Sequence, residues 1–172
     1  MNLLRAQILA AKVVAKLAPL CARIEIAGSI RRQRPWVNDI DLVLLPQPGQ
    51  REVIQFKLRA GCAAVSEGDQ NAIYRMPCGK PGEEIQLDLF FARPRVEDLL
   101  GCTPGNFGSL LVCRTGSKEH NIFLVEHAKR QGLVWKPYSG VFRDGECLAG
   151  EEEAAIFAAL GLDFIPPEKR ER

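Results

Sequence analysis

A chain of 172 residues with 47% apolar side chains is long enough for one domain, or two small lobes, with a packed interior. Nothing in it approaches the ~18 consecutive apolar residues of a membrane span, and its six cysteines form no Cys-x-x-Cys pair of the kind zinc needs. The formal net charge of only +2 hides an uneven spread: residues 1–35 hold seven basic side chains (Arg5, Lys12, Lys16, Arg23, Arg31, Arg32, Arg34) against Glu25 alone.

In chain order, Leu4, Ile8, Leu9, Val13 and Leu17 recur at helical spacing, which predicts an amphipathic helix over 2–18, ended before Pro19. Lys12 and Lys16 interrupt its apolar positions, so it does not read as a secretory signal. With scattered cysteines, that points to a reducing, cytoplasmic interior, with nucleoid or virus association left open. A strand follows at 22–27, a helical turn at 29–33 and a strand at 39–46, closed by Pro46 and Pro48. A helix near 50–60 and strands near 61–66 and 71–76 come next, then a turn from Gly79 to Gly82 into a strand at 83–92. Helices are expected near 95–100 and 105–113. A further helix at 117–131 has Ser117 as its N-cap and Gly132 as its stop. Short strands at 133–136 and 140–147, turned at Asp144-Gly145, precede a last helix near 150–160.

The strand period decides where the acidic groups point. In Asp39-Ile40-Asp41-Leu42-Val43-Leu44, the residues Ile40, Leu42 and Leu44 share one face, while Asp39 and Asp41 share the other. The Cα atoms of such a pair lie roughly 6.6 Å apart, close enough for both carboxylates to share an ion. In the strand at 83–92, Ile85, Leu87, Leu89 and Phe91 form the apolar face, with Gln86 and Asp88 opposite. If the two strands are neighbours, three carboxylates converge, and a hard divalent cation relieves their mutual repulsion. The Gly28-Ser29 turn just upstream is suited to close approach of a phosphate.

Gly28-Ser29-Ile30-Arg31-Arg32 and Asn38-Asp39-Ile40-Asp41-Leu42-Val43 resemble the catalytic motifs of polymerase beta-type nucleotidyltransferases. Arg114-Thr115-Gly116-Ser117-Lys118-Glu119-His120-Asn121, with the tail Leu160 to Arg170, narrows the resemblance to family X DNA polymerases. The resemblance implies an α+β fold: a polymerase beta-like palm over 1–92, a mixed sheet with flanking helices, and a small helical thumb with a short sheet over 93–172. It implies two Mg²⁺ (or Mn²⁺) ions held by Asp39, Asp41 and Asp88, with Asp88 assisting deprotonation of a primer 3′-hydroxyl. Gly28, Ser29 and Arg32 would meet the triphosphate, and Asn38 would also belong to the nucleotide-binding set. Cys113, Arg114, Thr115, Gly116, Ser117, Lys118 and Asn121 would line the nucleotide sugar and base.

The implied partners are primer–template or gapped DNA and a dNTP, handled by a monomer away from any membrane. Arg31, Lys12 and Lys16 are candidates for DNA contact; the alternative is a solvated helix face for the lysines and an exposed doublet with Arg32 for Arg31. His120 and His127 are expected at surface or groove positions. Many family members carry an aromatic pair where this chain has Cys113-Arg114, so tolerance of ribonucleotides is expected; Arg114 could instead meet phosphate or template. Larger members carry an N-terminal lyase domain, so a chain starting at the palm is expected to lack lyase activity and to grip DNA weakly. The alternative is a nucleotidyltransferase that modifies a small molecule, a protein or an RNA end.

Overall fold

The computed structural model describes residues 1–79, 81–99 and 101–171, which form two compact units, Met1–Phe91 and Ala92–Arg172. No described helix is long and apolar enough to cross a membrane.

The first unit is built on a five-stranded sheet of β1 (Cys21–Ile26), β2 (Asp39–Pro46), β3 (Ala63–Glu67), β4 (Asn71–Pro77) and β5 (Glu84–Phe91), in the order β1-β2-β5-β4-β3. β2 and β5 run parallel and every other pairing is antiparallel. The crossover from β2 to β5 carries α3 (Arg51–Arg59) and the β3–β4 pair. One sheet face is the core: Ile40, Leu42, Leu44, Ile85, Leu87 and Leu89 pack with Ala6, Ala10, Val13 and Leu17 of α1 (Leu3–Leu17) and with Ile54 and Leu58 of α3. Alternation leaves the other face to Asp39, Asp41, Gln86 and Asp88. The turn expected at Gly79–Gly82 joins β4 to β5, closed by a 2.9 Å bond from the Cys78 amide to the Glu83 carbonyl; Lys80 lies outside the described residues.

The inward stripe of α1 differs from the expected one. Leu4 and Ile8 are mostly exposed, whereas Ala6 and Ala10 are fully buried. Close approach of a helix to a sheet selects small side chains at the contact, so the alanines face inward and the larger residues are turned to solvent. Asn2 caps this helix by accepting from the Arg5 amide at 3.0 Å.

The second unit opens with a hairpin, β6 (Val96–Asp98) and β7 (Gly101–Thr103), where a helix near 95–100 was expected. Pro94 and Pro104 bracket this segment and favour extended backbone in the residue before each, and Leu100 lies outside the described residues. α4 spans Phe107–Thr115, starting and ending two residues later than predicted. α5 spans Lys118–Arg130, and its cap is as predicted: the Ser117 hydroxyl accepts from the His120 amide at 3.0 Å. Beyond it Gly132, at φ +69°, ends the helix in a Schellman motif, with Leu133 N–H to the Ala128 carbonyl and Gly132 N–H to the Lys129 carbonyl.

β8 (Val134–Lys136), β9 (Gly140–Arg143) and β10 (Glu146–Ala149) make a three-stranded sheet, and the turn predicted at Asp144-Gly145 joins β9 to β10. α6 (Glu153–Ala159) completes the unit. Val112, Leu124, Leu133, Trp135, Val141, Ile156 and Phe157 form its core. His120, expected at the surface or a groove, is fully buried among the rings of Phe123 and Phe157. The C-terminal segment is locked by Arg170. This fully buried guanidinium pairs with Glu153 at 2.6 Å, donates from Nε to the Ile165 carbonyl at 2.8 Å and stacks over Phe157 and Phe164.

Candidate metal and nucleotide site

Strand register builds the acidic cluster. In the parallel β2–β5 pair, Asp41 lies directly opposite Asp88, and Asp39 opposite Gln86. Because directly opposed residues project from the same face, the three carboxylates converge, and one oxygen from each lies within 4.8 Å of the other two. All three side chains are half-buried. Two ligand oxygens sharing a Mg²⁺ stand at most about 4.2 Å apart, so small side-chain rotations bring this trio to coordination distance. Three hard, acceptor-only donors fit Mg²⁺ or Mn²⁺ far better than a thiol- or imidazole-seeking metal. The Nε2 of Gln86 donates to both Asp88 oxygens, at 2.9 and 3.1 Å.

The Gly28-Ser29 turn reaches this cluster through the antiparallel pairing of β1 with β2. Ile26 pairs with Leu42, and one residue on, the Ala27 amide donates to the Asp41 carbonyl at 2.9 Å. The chain then swings into a single helical turn, α2 (Gly28–Arg31), with Gly28 at φ +58°, a conformation that glycine adopts without strain. The missing side chain matters as much as the backbone angle. A Cβ at Gly28 would stand 1.8 Å from the Asp41 Oδ2. The glycine therefore lets the turn lie directly on the carboxylate.

Ser29 follows, and its Oγ is buried with no hydrogen-bonding partner among the described residues. Leaving a hydroxyl dry and unpaired costs about 1–3 kcal/mol, and a bound oxyanion in this turn would remove that cost. Arg31 ends the turn, Arg32 follows as its C-cap, and Asn38 is exposed immediately before Asp39. Lys12 and Lys16 belong to α1, which covers the opposite face of the sheet; the Lys16 Nζ donates to the Lys57 carbonyl at 3.2 Å.

The other predicted residues lie in the second unit. Thr115 closes α4 fully buried, Gly116 links it to the Ser117 cap, and Lys118 is exposed. The Ser117 amide donates to the Arg170 carbonyl at 3.1 Å, which ties the predicted tail to this turn. Asn121 donates from Nδ2 to the Cys113 carbonyl at 2.8 Å, while its Oδ1 is buried with no hydrogen-bonding partner among the described residues. Burial pushes the Cys113 thiol up, so it stays protonated at neutral pH. The Arg114 guanidinium lies 5.0 Å over the Tyr138 ring. Sequence reasoning put Gln86 on the acidic face yet gave it no role; its position two residues before Asp88 was the available signal.

Residues 110–171 match the family model of the DNA polymerase beta thumb. Over 147 residues, 84% of this chain, the sequence is 29% identical to the DNA polymerase/3′-5′ exonuclease PolX of Bacillus subtilis (strain 168), and it spans about a quarter of that protein's length. Across its whole length the chain superposes on polymerase beta of Leishmania infantum, solved as a ternary P/T complex, with a TM-score of 0.76 at 16% identity and 77% coverage of that chain. The fold is α+β and polymerase beta-like, and the second unit carries the match to the polymerase beta thumb.

Proposed function

We propose that this chain is a template-directed DNA polymerase that adds a dNMP to a primer 3′-hydroxyl, filling short gaps in DNA repair. One observation carries this: Asp39, Asp41 and Asp88 converge within 4.8 Å from two parallel strands, beside a Gly-Ser turn. The three carboxylates would hold two Mg²⁺ or Mn²⁺ ions, which when bound neutralise phosphate charge and lower the barrier for attack by the 3′-oxygen. Asp39 and Asp41 supply the shared negative wall against which the triphosphate is oriented. Asp88 accepts the proton of the 3′-hydroxyl as its oxygen bonds to the α-phosphorus, while the bond to the β-phosphate oxygen breaks and pyrophosphate leaves. Ser29 donates its hydroxyl to the leaving phosphates, Arg32 forks onto their oxygens, and Gly28 allows the turn to close on Asp41.

The first unit would serve as palm and the second as thumb, with the turn from Cys113 to Asn121 set against the sugar and base. With Cys113-Arg114 in place of an aromatic pair, the sugar pocket would admit ribonucleotides. Free thiols at Cys21, Cys62, Cys78, Cys113 and Cys147 agree with a reducing intracellular setting. The test is a labelled primer on a one-nucleotide gap with Mg²⁺ or Mn²⁺ and each dNTP in turn. Template-matched extension is the expected outcome. Untemplated addition would indicate a terminal transferase, and no transfer to any nucleic-acid end would leave a nucleotidyltransferase of another acceptor.

A further inference from the structure

Gln86 shares the acidic face with the three carboxylates, two residues before Asp88 on β5 and opposite Asp39 across the parallel pair. A single amide nitrogen meets both oxygens of one carboxylate, at 2.9 and 3.1 Å. Chemistry fixes which end of the amide faces Asp88. A carboxylate only accepts, so the NH₂ end donates to it, whereas the amide oxygen would be repelled.

The need for such a contact follows from the topology. Asp39 and Asp41 share a strand and hold their spacing through the pleat, but Asp88 comes from a neighbouring strand. Where its oxygens stand relative to the other two depends on its own side-chain torsions. A donor bridging both oxygens sets the plane of the carboxylate before any ion arrives. The donor is also uncharged. A lysine or arginine in the same place would hold the carboxylate equally well but would place a cation beside the ions the site is to attract.

We propose that Gln86 is the positioning residue for Asp88: it turns the third carboxylate toward Asp39 and Asp41 without bringing a positive charge of its own to the site. This rests on the metal-dependent nucleotidyl transfer proposed above and assigns one of its residues. The same contact, made from outside the ligand set, is of the kind whose loss typically lowers metal affinity or activity about 10–100-fold.

Gln86→Met keeps the length of the side chain and removes the donor. Gln86→Glu is isosteric and replaces the donor with an acceptor, and it serves if the methionine variant fails to fold. Mn²⁺ affinity is read from the electron paramagnetic resonance of free Mn²⁺, and single-turnover insertion on gapped DNA separates the maximal rate from the apparent dNTP affinity. In Gln86→Met the expected result is about tenfold weaker Mn²⁺ binding and a maximal rate about 10–100-fold lower. Gln86→Glu adds a carboxylate that attracts Mn²⁺, so there only the rate is read, with an equal or larger fall. Apparent dNTP affinity stays unchanged in both.

Wild-type rate in a folded Gln86→Glu, or wild-type rate and Mn²⁺ affinity in a folded Gln86→Met, overturns the assignment. So does a loss confined to dNTP affinity, because Gln86 would then be touching nucleotide rather than acting through Asp88. A wild-type protein that transfers no nucleotide, yet loses Mn²⁺ affinity in Gln86→Met, sinks the proposed reaction and keeps the positioning role.

Discussion

Replacing Gly28 by alanine separates two demands that the turn makes on one residue. At φ +58° an alanine adopts a left-handed conformation costing about 1–2 kcal/mol. For a chain of this length that lowers the melting temperature by roughly 2–8 °C. The second demand is space. The new Cβ falls 1.8 Å from the Asp41 Oδ2, 2.7 Å from its Cγ and 3.1 Å from its Cβ, so the whole carboxylate must withdraw. The oxygen alone has to retreat by roughly 1.6 Å to reach ordinary contact. Misplacing a reacting group by about 1 Å costs on the order of 10²-fold, so single-turnover insertion should fall at least that far in a protein that still folds.

Gly49→Ala supplies the control. That glycine has φ +73°, and a Cβ added there would meet nothing within 4 Å, so it carries the backbone penalty without the collision. It should lose a similar few degrees and keep its rate. Differential scanning calorimetry and gap-filling rates on both variants, with Mn²⁺ titrations alongside, decide the matter. If Gly28→Ala folds and inserts nucleotide at the wild-type rate, Asp41 is not held against the turn in the working enzyme and the reasoning fails.

Asp39→Asn, Asp41→Asn and Asp88→Asn should each lower single-turnover insertion by at least about 10²-fold in a protein that still folds. Arg170→Met removes the buried guanidinium from the Glu153 carboxylate, and urea unfolding followed by the fluorescence of buried Trp135 should report a loss of about 3–5 kcal/mol. Glu153→Gln added to Arg170→Met should recover part of it.

In the first unit, hydrogen bonds from Arg59 and then Tyr74 hold the Glu67 carboxyl below its usual range. A carboxyl depressed in the folded state stabilises fully above about pH 4.3, and that stability is lost as pH falls through the folded value. Unfolding measured from pH 6 to 3 should therefore show a shallower acid slope in Glu67→Gln. Burial, then Glu67, pushes the Tyr74 phenol up, so its contribution is complete below about pH 10 and fades as pH rises through the folded value; Tyr74→Phe should lose that alkaline dependence. Matched insertion rates for dNTP and rNTP should lie close together, and a strong deoxy preference would remove the role given to Cys113-Arg114.

The acidic face was legible because a strand has a period of two, and no tertiary contact can move Asp39 to the side of Ile40. Once β2 and β5 pair in parallel, the opposition of Asp41 and Asp88 follows from register alone. Helices and short segments offered no such constraint. Two stripes that share Val13 and Leu17 compete along α1, the expected one extended through Leu4 and Ile8, the other through Ala6 and Ala10. Ranking side chains by hydrophobicity favours the first, whereas distance of approach to the sheet selects the second. The segment 95–100 was too short to display any period, and its hairpin depends on pairing with Gly101–Thr103 across the turn.

His120 and Gln86 escaped for a related reason: each looks polar and therefore solvated until its surroundings are known. His120 is enclosed because the helix capped by Ser117 turns it onto Phe157, a residue from a different helix. Gln86 acquires a role only through the carboxylate beside it. A polar side chain at i−2 of a candidate ligand on a strand shares its face by geometry, so it belongs in the site from the outset, and a neutral donor there is the residue type that orients a carboxylate without repelling the ion it awaits.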